Sequence, residues 1–155
     1  MKKLKDYFTA EYGQRELTSK SSIEKGKNIV ISSQGIDNGC YGFFDFPTKY
    51  SPPLITVPRT GSIGEAFVQE YDFSATDDLI ILIPKEKYEI EFLYFLIVVI
   101  RNEKWRFNYG RKITPSRLLN LKINLQNYDK ESISKFRTRW MKKIKKFETD
   151  ASKYF

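Results

Sequence analysis

The sequence predicts an α+β fold: a mixed β-rich domain with one packed helix, followed by a long C-terminal amphipathic helix. Three observations carry this. Between residues 28 and 83, short apolar runs recur, each bounded by Gly, Pro, Asn or Ser. From Tyr88 onward, apolar residues return at spacings of three and four instead. Beyond Asp129 the same spacing persists, now between dense cations.

The strand-like runs are "NIVIS" (28–32), "YGFF" (41–44), "LITV" (54–57), "EAFVQ" (65–69) and "LIILI" (79–83). Gly35, Asn38-Gly39 and Gly42 punctuate the first gap, Pro52-Pro53 lead into the third strand, and Gly61 with Gly64 form a turn between the third and fourth. The stretch through Ile23 reads as helix or loop. A long helix is expected from Tyr88 to about Phe107, with Phe92, Leu93, Leu96, Val99 and Ile100 on its buried face. Gly110 is placed as its left-handed stop. Thr114 followed by Pro115 then reads as an N-cap with proline at the first helical position. "LKINL" is a last strand or docking segment. The division expected is a domain over 1–126 and a C-terminal helix over 127–155. In that helix Ile133, Phe136, Trp140, Ile144 and Phe147 form one stripe, with Lys135, Arg137, Arg139, Lys142 and Lys143 between them. The polar link "QNYDKES" before it predicts a helix that projects from the domain.

At 155 residues the chain is about one domain long. With 41% hydrophobic and 30% charged residues, it has the composition of a soluble globular protein. Lys and Arg outnumber Asp and Glu by 27 to 19, a net charge of +8 that suits an anionic partner. There is no histidine, which removes the commonest general base. The single Cys40 excludes an internal disulfide and a thiolate zinc cage. The most apolar stretch, Phe92 to Ile100, falls far short of the ~20 residues that span a bilayer. No secretory pattern opens the chain, so a cytoplasmic location is expected.

Several motifs invite an enzymatic reading and fail it. "VPRTGSIGEAF" lacks the Gly-Lys-Ser/Thr ending of a phosphate-cradling loop. "YSPPLI" resembles the target-base motif of amino-methyltransferases, but Leu54 stands where an aromatic should stack the base, and no Gly-rich cofactor loop accompanies it. Adjacent Asp77 and Asp78 point to opposite faces of a strand, which suits structural carboxylates paired with Arg or Lys better than a magnesium site. Cys40 has no histidine to activate it. No catalytic residue, metal or cofactor is expected.

Two segments instead suit an anionic polymer. Arg111 and Lys112 precede the helix start at Thr114, and Arg117 follows it, so cations and free N–H groups converge there. Arg59 and Thr60 stand at the tip of a glycine turn, where an arginine can make the bidentate guanine contact.

Taken in order, "YFTAEYGQRELT", "KGKNIVISSQGIDNGCYGFF", "LITVPRTGSIGEAFV", "FSATDDLIILIPK" and "YGRKITPSRLLNLKINL" resemble a target-recognition domain of the type I restriction-modification DNA specificity (S) subunit family, in a half-size form. The "RTGSIG", "TDD" and "YGRK" elements weigh most. The resemblance implies a non-catalytic domain that reads half of an interrupted double-stranded DNA target. It implies a helix that serves as spacer and as a dock for methyltransferase (modification) subunits, and a restriction subunit in the assembly. The family carries two such domains and two helices in one chain, whereas one of each stands here. On this reading Gln34 and Arg59, and then Lys49, are expected to read bases. Thr60, Arg111, Lys112, Thr114 and Arg117 are expected at phosphates. Ile133, Phe136, Trp140, Ile144 and Phe147 are expected to bring two copies together as a homodimer. The competing reading is a general nucleic-acid or protein-binding adaptor with a basic amphipathic helix.

Overall fold

A computed structural model describes the backbone of all residues except 18–22, 108–111 and 153–155, and the side chains of the C-terminal helix as far as Ile144. The described residues form strands β1 (Lys2–Lys3), β2 (Phe8–Tyr12), β3 (Lys25–Ile31), β4 (Cys40–Phe44), β5 (Leu54–Pro58), β6 (Phe67–Gln69), β7 (Phe73–Ala75), β8 (Leu79–Pro84) and β9 (Lys122–Ile123). The α-helices are α1 (Ile90–Asn102), α2 (Pro115–Leu119) and α3 (Lys130–Ser152).

Strand β8 explains the architecture. Its run "LIILI" is apolar throughout because it is covered on both faces. Ile80 and Leu82 point into one cluster, with Ile55, Val57 and the buried face of α1. Leu79 and Ile81 point into a second, with Ile31, Tyr50, Phe73 and Ala75. A four-stranded antiparallel sheet, in the order β2-β8-β5-β6, therefore lies between a helical layer and a three-stranded sheet, β4-β3-β7. In the smaller sheet β3 runs antiparallel to β4 and parallel to β7. A short β1-β9 pair ties the two ends of the domain together, and Leu4 donates its backbone N–H to Leu121.

The strands expected near 28, 41, 54, 65 and 79 are all present, with shifted ends. The first stretch, expected as helix or loop, carries a strand between two 3-10 turns (Leu4–Asp6 and Arg15–Leu17): β2 occupies Phe8–Tyr12 and pairs with β8 from Phe8↔Pro84 to Tyr12↔Ile80. As an edge strand it buries Phe8 fully, while Thr9, Glu11 and Tyr12 remain exposed, so its sequence shows little apolar alternation. Strand β7, "FSA", is too short and too polar to announce itself. Helix α1 stops at Asn102, earlier than Phe107, and a 3-10 turn (Lys104–Phe107) follows that returns Phe107 to the core at 4% exposure. Gly110 and Tyr109 lie outside the described residues.

The C-terminal helix does not project. Ile133, Phe136 and Trp140 pack against the domain's own core, and Trp140 stacks on Phe67 at 6.0 Å between ring centroids. Glu70 accepts from Arg137 Nη2 at 2.6 Å and from Tyr94 Oη at 2.5 Å, joining α3, α1 and the β6–β7 turn. Lys130 pairs with Glu89 at 2.9 Å. These polar anchors, invisible in a helical-wheel reading, are why the stripe folds inward. Phe147 lies outside the described side chains.

Candidate nucleic-acid interface

Register brings three strand ends together. Tyr12 at the end of β2 pairs with Ile80, and Pro58 at the end of β5 pairs with Leu79. The next residue, Arg59, therefore emerges beside Tyr12 and beside the β7–β8 turn. Its guanidinium carbon lies 4.7 Å from the centroid of the Tyr12 ring. Its Nε–H is donated to the Asp77 carbonyl at 2.9 Å, and its backbone N–H to the Asp78 carbonyl at 3.1 Å. Gly13 must be glycine here, because a Cβ would sit 2.0 Å from the Thr76 carbonyl oxygen.

Two loops complete this rim. Residues 59–65 turn at Gly61, where φ is +63°, and Ser62 donates its backbone N–H to Ser33 at 3.4 Å. Residues 32–39 carry Ser33, Gln34 and the exposed Ile36. Asp78 fixes the 32–39 loop to the sheet: its carboxylate accepts from Ser33 Oγ at 2.9 Å and from the Thr76 hydroxyl. The expectation that Asp77 and Asp78 pair with cations is thus corrected. Asp78 holds two hydroxyls, and the Asp77 carbonyl, not its carboxylate, holds Arg59.

Of the three expected base readers, the structure brings Arg59 and Gln34 to the rim. Gln34 commits its Nε2 amide to shaping the loop, donating to the Ile36 carbonyl at 3.4 Å and to the Cys40 carbonyl at the start of β4. Lys49 stands apart, between β4 and β5, with its backbone N–H donated to the Phe73 carbonyl at 3.1 Å and its ammonium 5.4 Å from the Tyr50 ring. Burial beside Glu11 pushes the Tyr50 phenol up to about 12. Thr60 is exposed at the loop tip.

The second expected cluster sits elsewhere. Thr114 caps α2 as its residue type predicts, with Oγ1 accepting from the Arg117 backbone N–H at 3.2 Å. Helix α2 spans only 5 residues and packs on β2 and the turn before it. Arg117 folds back, donating Nη1–H to the Lys112 carbonyl at 3.1 Å, while the Lys112 side chain is exposed. Arg111 lies outside the described residues.

Sequence reasoning missed Tyr12 and Trp105. Trp105 is 60% exposed on the 3-10 turn after α1, with the Arg106 guanidinium 4.7 Å from its ring centroid. That turn abuts the 59–65 loop, since Lys104 packs against Gly64 and pairs with Glu65 at 3.9 Å. An exposed tryptophan one turn beyond a buried helix was the available signal. Cys40 is buried and donates weakly to the Gly42 carbonyl. Among the described residues, no helix is long and apolar enough to cross a membrane.

Three solved structures share this architecture. The S subunit of a type I restriction-modification system from M. genitalium is 17% identical with a TM-score of 0.66, over 97% of this chain and 42% of that one. The HsdS subunit from Thermoanaerobacter tengcongensis is 14% identical with a TM-score of 0.57, over 99% and 39%. A chain from a type I R-M system solved for its complex assembly and conformational transition is 14% identical with a TM-score of 0.60, over 98% and 40%. The chain thus spans about two fifths of the length of the solved subunits it matches. No curated protein matches it in sequence. The model of one family, the type I restriction modification DNA specificity domain, matches residues 1–148, and this chain belongs to that family.

Proposed function

We propose that the chain recognises a specific double-stranded DNA sequence as a non-catalytic, cytoplasmic specificity subunit or half-subunit. In that role it directs a methyltransferase or endonuclease of a restriction-modification system to its target. The observation that carries this, beside family membership, is the rim itself. Two loops are knitted by Ser33, Ser62 and Asp78, and Arg59 is held between Tyr12 and Asp77 at their centre. Such preorganisation suits an arginine that reads guanine, because little side-chain freedom remains to be lost on binding. Gln34 supports the loop through its amide. Thr60 at the tip and Lys112 beside α2 are assigned to phosphates, which fix register without specifying sequence.

The partners proposed are modification subunits, with a restriction subunit in the larger assembly. The pairing proposed is with a second copy of this chain, through α3. We place that pairing away from Ile133, Phe136 and Trp140, which pack partly buried against the domain's core. It uses the outward face of α3, where Lys135, Thr138, Arg139 and Lys142 are exposed. The test is a methyl-transfer assay with modification subunits, with and without this chain. Site-confined adenine or cytosine methylation should require the chain, and the chain alone should transfer nothing. Labelled methyl transfer by the rigorously purified chain would overturn the non-catalytic assignment.

A further inference from the structure

Asn38 occupies the middle of the 3-10 turn that closes loop 32–39, at φ 55° and ψ 28°. This left-handed conformation is one that asparagine tolerates better than most side chains. The residue is 7% exposed, so every polar atom on its side chain needs a partner. Nδ2 donates to the Val68 carbonyl at 3.1 Å and to Gln69 Oε1 at 3.2 Å. Gln69 Nε2 returns a bond to the Asn38 carbonyl at 2.9 Å and another to Thr56 Oγ1 at 3.0 Å. With both amide hydrogens committed, the orientation of the amide is fixed and Oδ1 faces α3. Trp140 Nε1–H donates to it at 2.8 Å, across 102 residues of sequence.

The loop is therefore clamped from two sides. Asp78 holds Ser33 at the rim, and Trp140 holds Asn38 beneath it. Trp140 is itself fixed by stacking on Phe67 and Phe136, with the Arg101 guanidinium 4.9 Å from its ring. Ile144, one turn later on α3, lines a small cavity together with Asn38, Cys40 and Phe43. No other polar contact ties α3 to loop 32–39 among the described residues.

We infer that Asn38 is a positioning residue through which Trp140 makes the C-terminal helix part of the sequence-reading apparatus. This rests on the DNA-recognition reading above. Without the indole donor, Oδ1 is left buried and unpaired, and the amide and its loop relax toward conformations that restore a partner. Binding a cognate site then requires the reading conformation to be regained, which lowers affinity by the fraction of molecules that hold it. Binding to arbitrary DNA through phosphates requires no such conformation and is unaffected. A surface on α3 remote from the DNA thereby sets sequence discrimination.

The experiment compares affinities of the full chain for its selected duplex and for a random duplex, in Trp140→Phe, Asn38→Gly and Arg137→Gln. Phenylalanine keeps the stacked ring and loses the donor; glycine keeps the left-handed backbone and loses the amide. Both are expected to lower the specific-to-random ratio about five- to tenfold, with random affinity within twofold of wild type. Arg137→Gln frees α3 from Glu70 without touching Asn38, so it should lower thermal stability and leave the ratio unchanged. An unchanged ratio in Trp140→Phe, or an equal fall in Arg137→Gln, would overturn the inference while leaving DNA recognition standing. A wild-type chain that prefers no duplex over random sequence would overturn the recognition reading, and the inference with it.

Discussion

Arg59 and Tyr12 form a pair across the end of the larger sheet, with the guanidinium carbon 4.7 Å from the ring centroid. The Asp77 carbonyl takes Nε–H, so the fork is held at its base. Arginine, unlike lysine, keeps a planar fork for bidentate contact while stacked. Replacing Arg59 with Ala or Lys should therefore cost about 1–3 kcal/mol on the selected duplex and relax preference at one base pair. Tyr12→Ala should cost less, about 0.5–1 kcal/mol, by loosening the stack. Competition against duplexes with single-base replacements checks both. A uniform loss across all sequences would assign Arg59 to phosphate.

Lys112 and Arg117 should behave differently from each other, because Arg117 is already bonded to the Lys112 carbonyl. Lys112→Ala should weaken binding to every duplex alike and lower the salt slope by about 0.9. Arg117→Ala should change the slope less. The measurement is the logarithm of affinity against the logarithm of salt concentration. A changed sequence preference in Lys112→Ala would contradict its positioning role.

The anchor of α3 is open to a stability test. Glu70 accepts two bonds from Arg137 and one from Tyr94, and its side chain is only 15% exposed. Glu70→Gln weakens all three, with an expected loss of about 1–3 kcal/mol in chemical denaturation. The Arg137 side chain is 34% exposed, and solvent screening keeps the effect toward the lower end.

Alkali should act on the same region. Burial, then Glu70, pushes the Tyr94 phenol above its ordinary value near 10, and burial pushes Tyr50 up to about 12. Both shifts favour the neutral form in the fold. The stability they contribute is complete below about pH 10 and is lost as pH rises through the folded values. Phenolate absorbance should lag behind that of model tyrosine, and unfolding should follow above pH 10. Titration of all tyrosines with a midpoint near pH 10 and the fold intact would contradict this.

Self-association and DNA binding should respond oppositely to salt. The outward face of α3 displays Lys135, Arg139, Lys142 and Lys143, so two copies brought together there repel at low ionic strength. Sedimentation equilibrium should show dimerisation strengthening from low to moderate salt, where DNA binding weakens. Arg139→Glu should strengthen pairing at low salt. A monomer at tens of micromolar in moderate salt would remove the second copy from the account.

Much of this fold was legible because its strongest segments carry one period each. "LIILI" reads as a strand, and Phe92 through Ile100 reads as the buried stripe of a helix; both are so. Thr114-Pro115 announced a helix start because cap chemistry is local. What escaped was set by partners distant in sequence. Strand β2 has one neighbour and a solvent face, so only Phe8 among its five residues is buried. The inward turn of α3 depends on Asn38, Glu70 and Glu89, none of which stands out in the sequence. Arg59 at a glycine turn was legible as a displayed cation, but its shelf, Tyr12, was not, because only strand register brings the two together.

The claim on which the rest depends is that this chain distinguishes one DNA sequence from others. Selection of the full chain, with modification subunits present, from a random duplex library, followed by anisotropy titration of the enriched duplex against a shuffled one at physiological salt, measures it directly. The account predicts enrichment of a defined motif and an affinity ratio of roughly 10³ or more. Equal affinity for the enriched and shuffled duplexes, with binding that disappears as salt is raised, would contradict it.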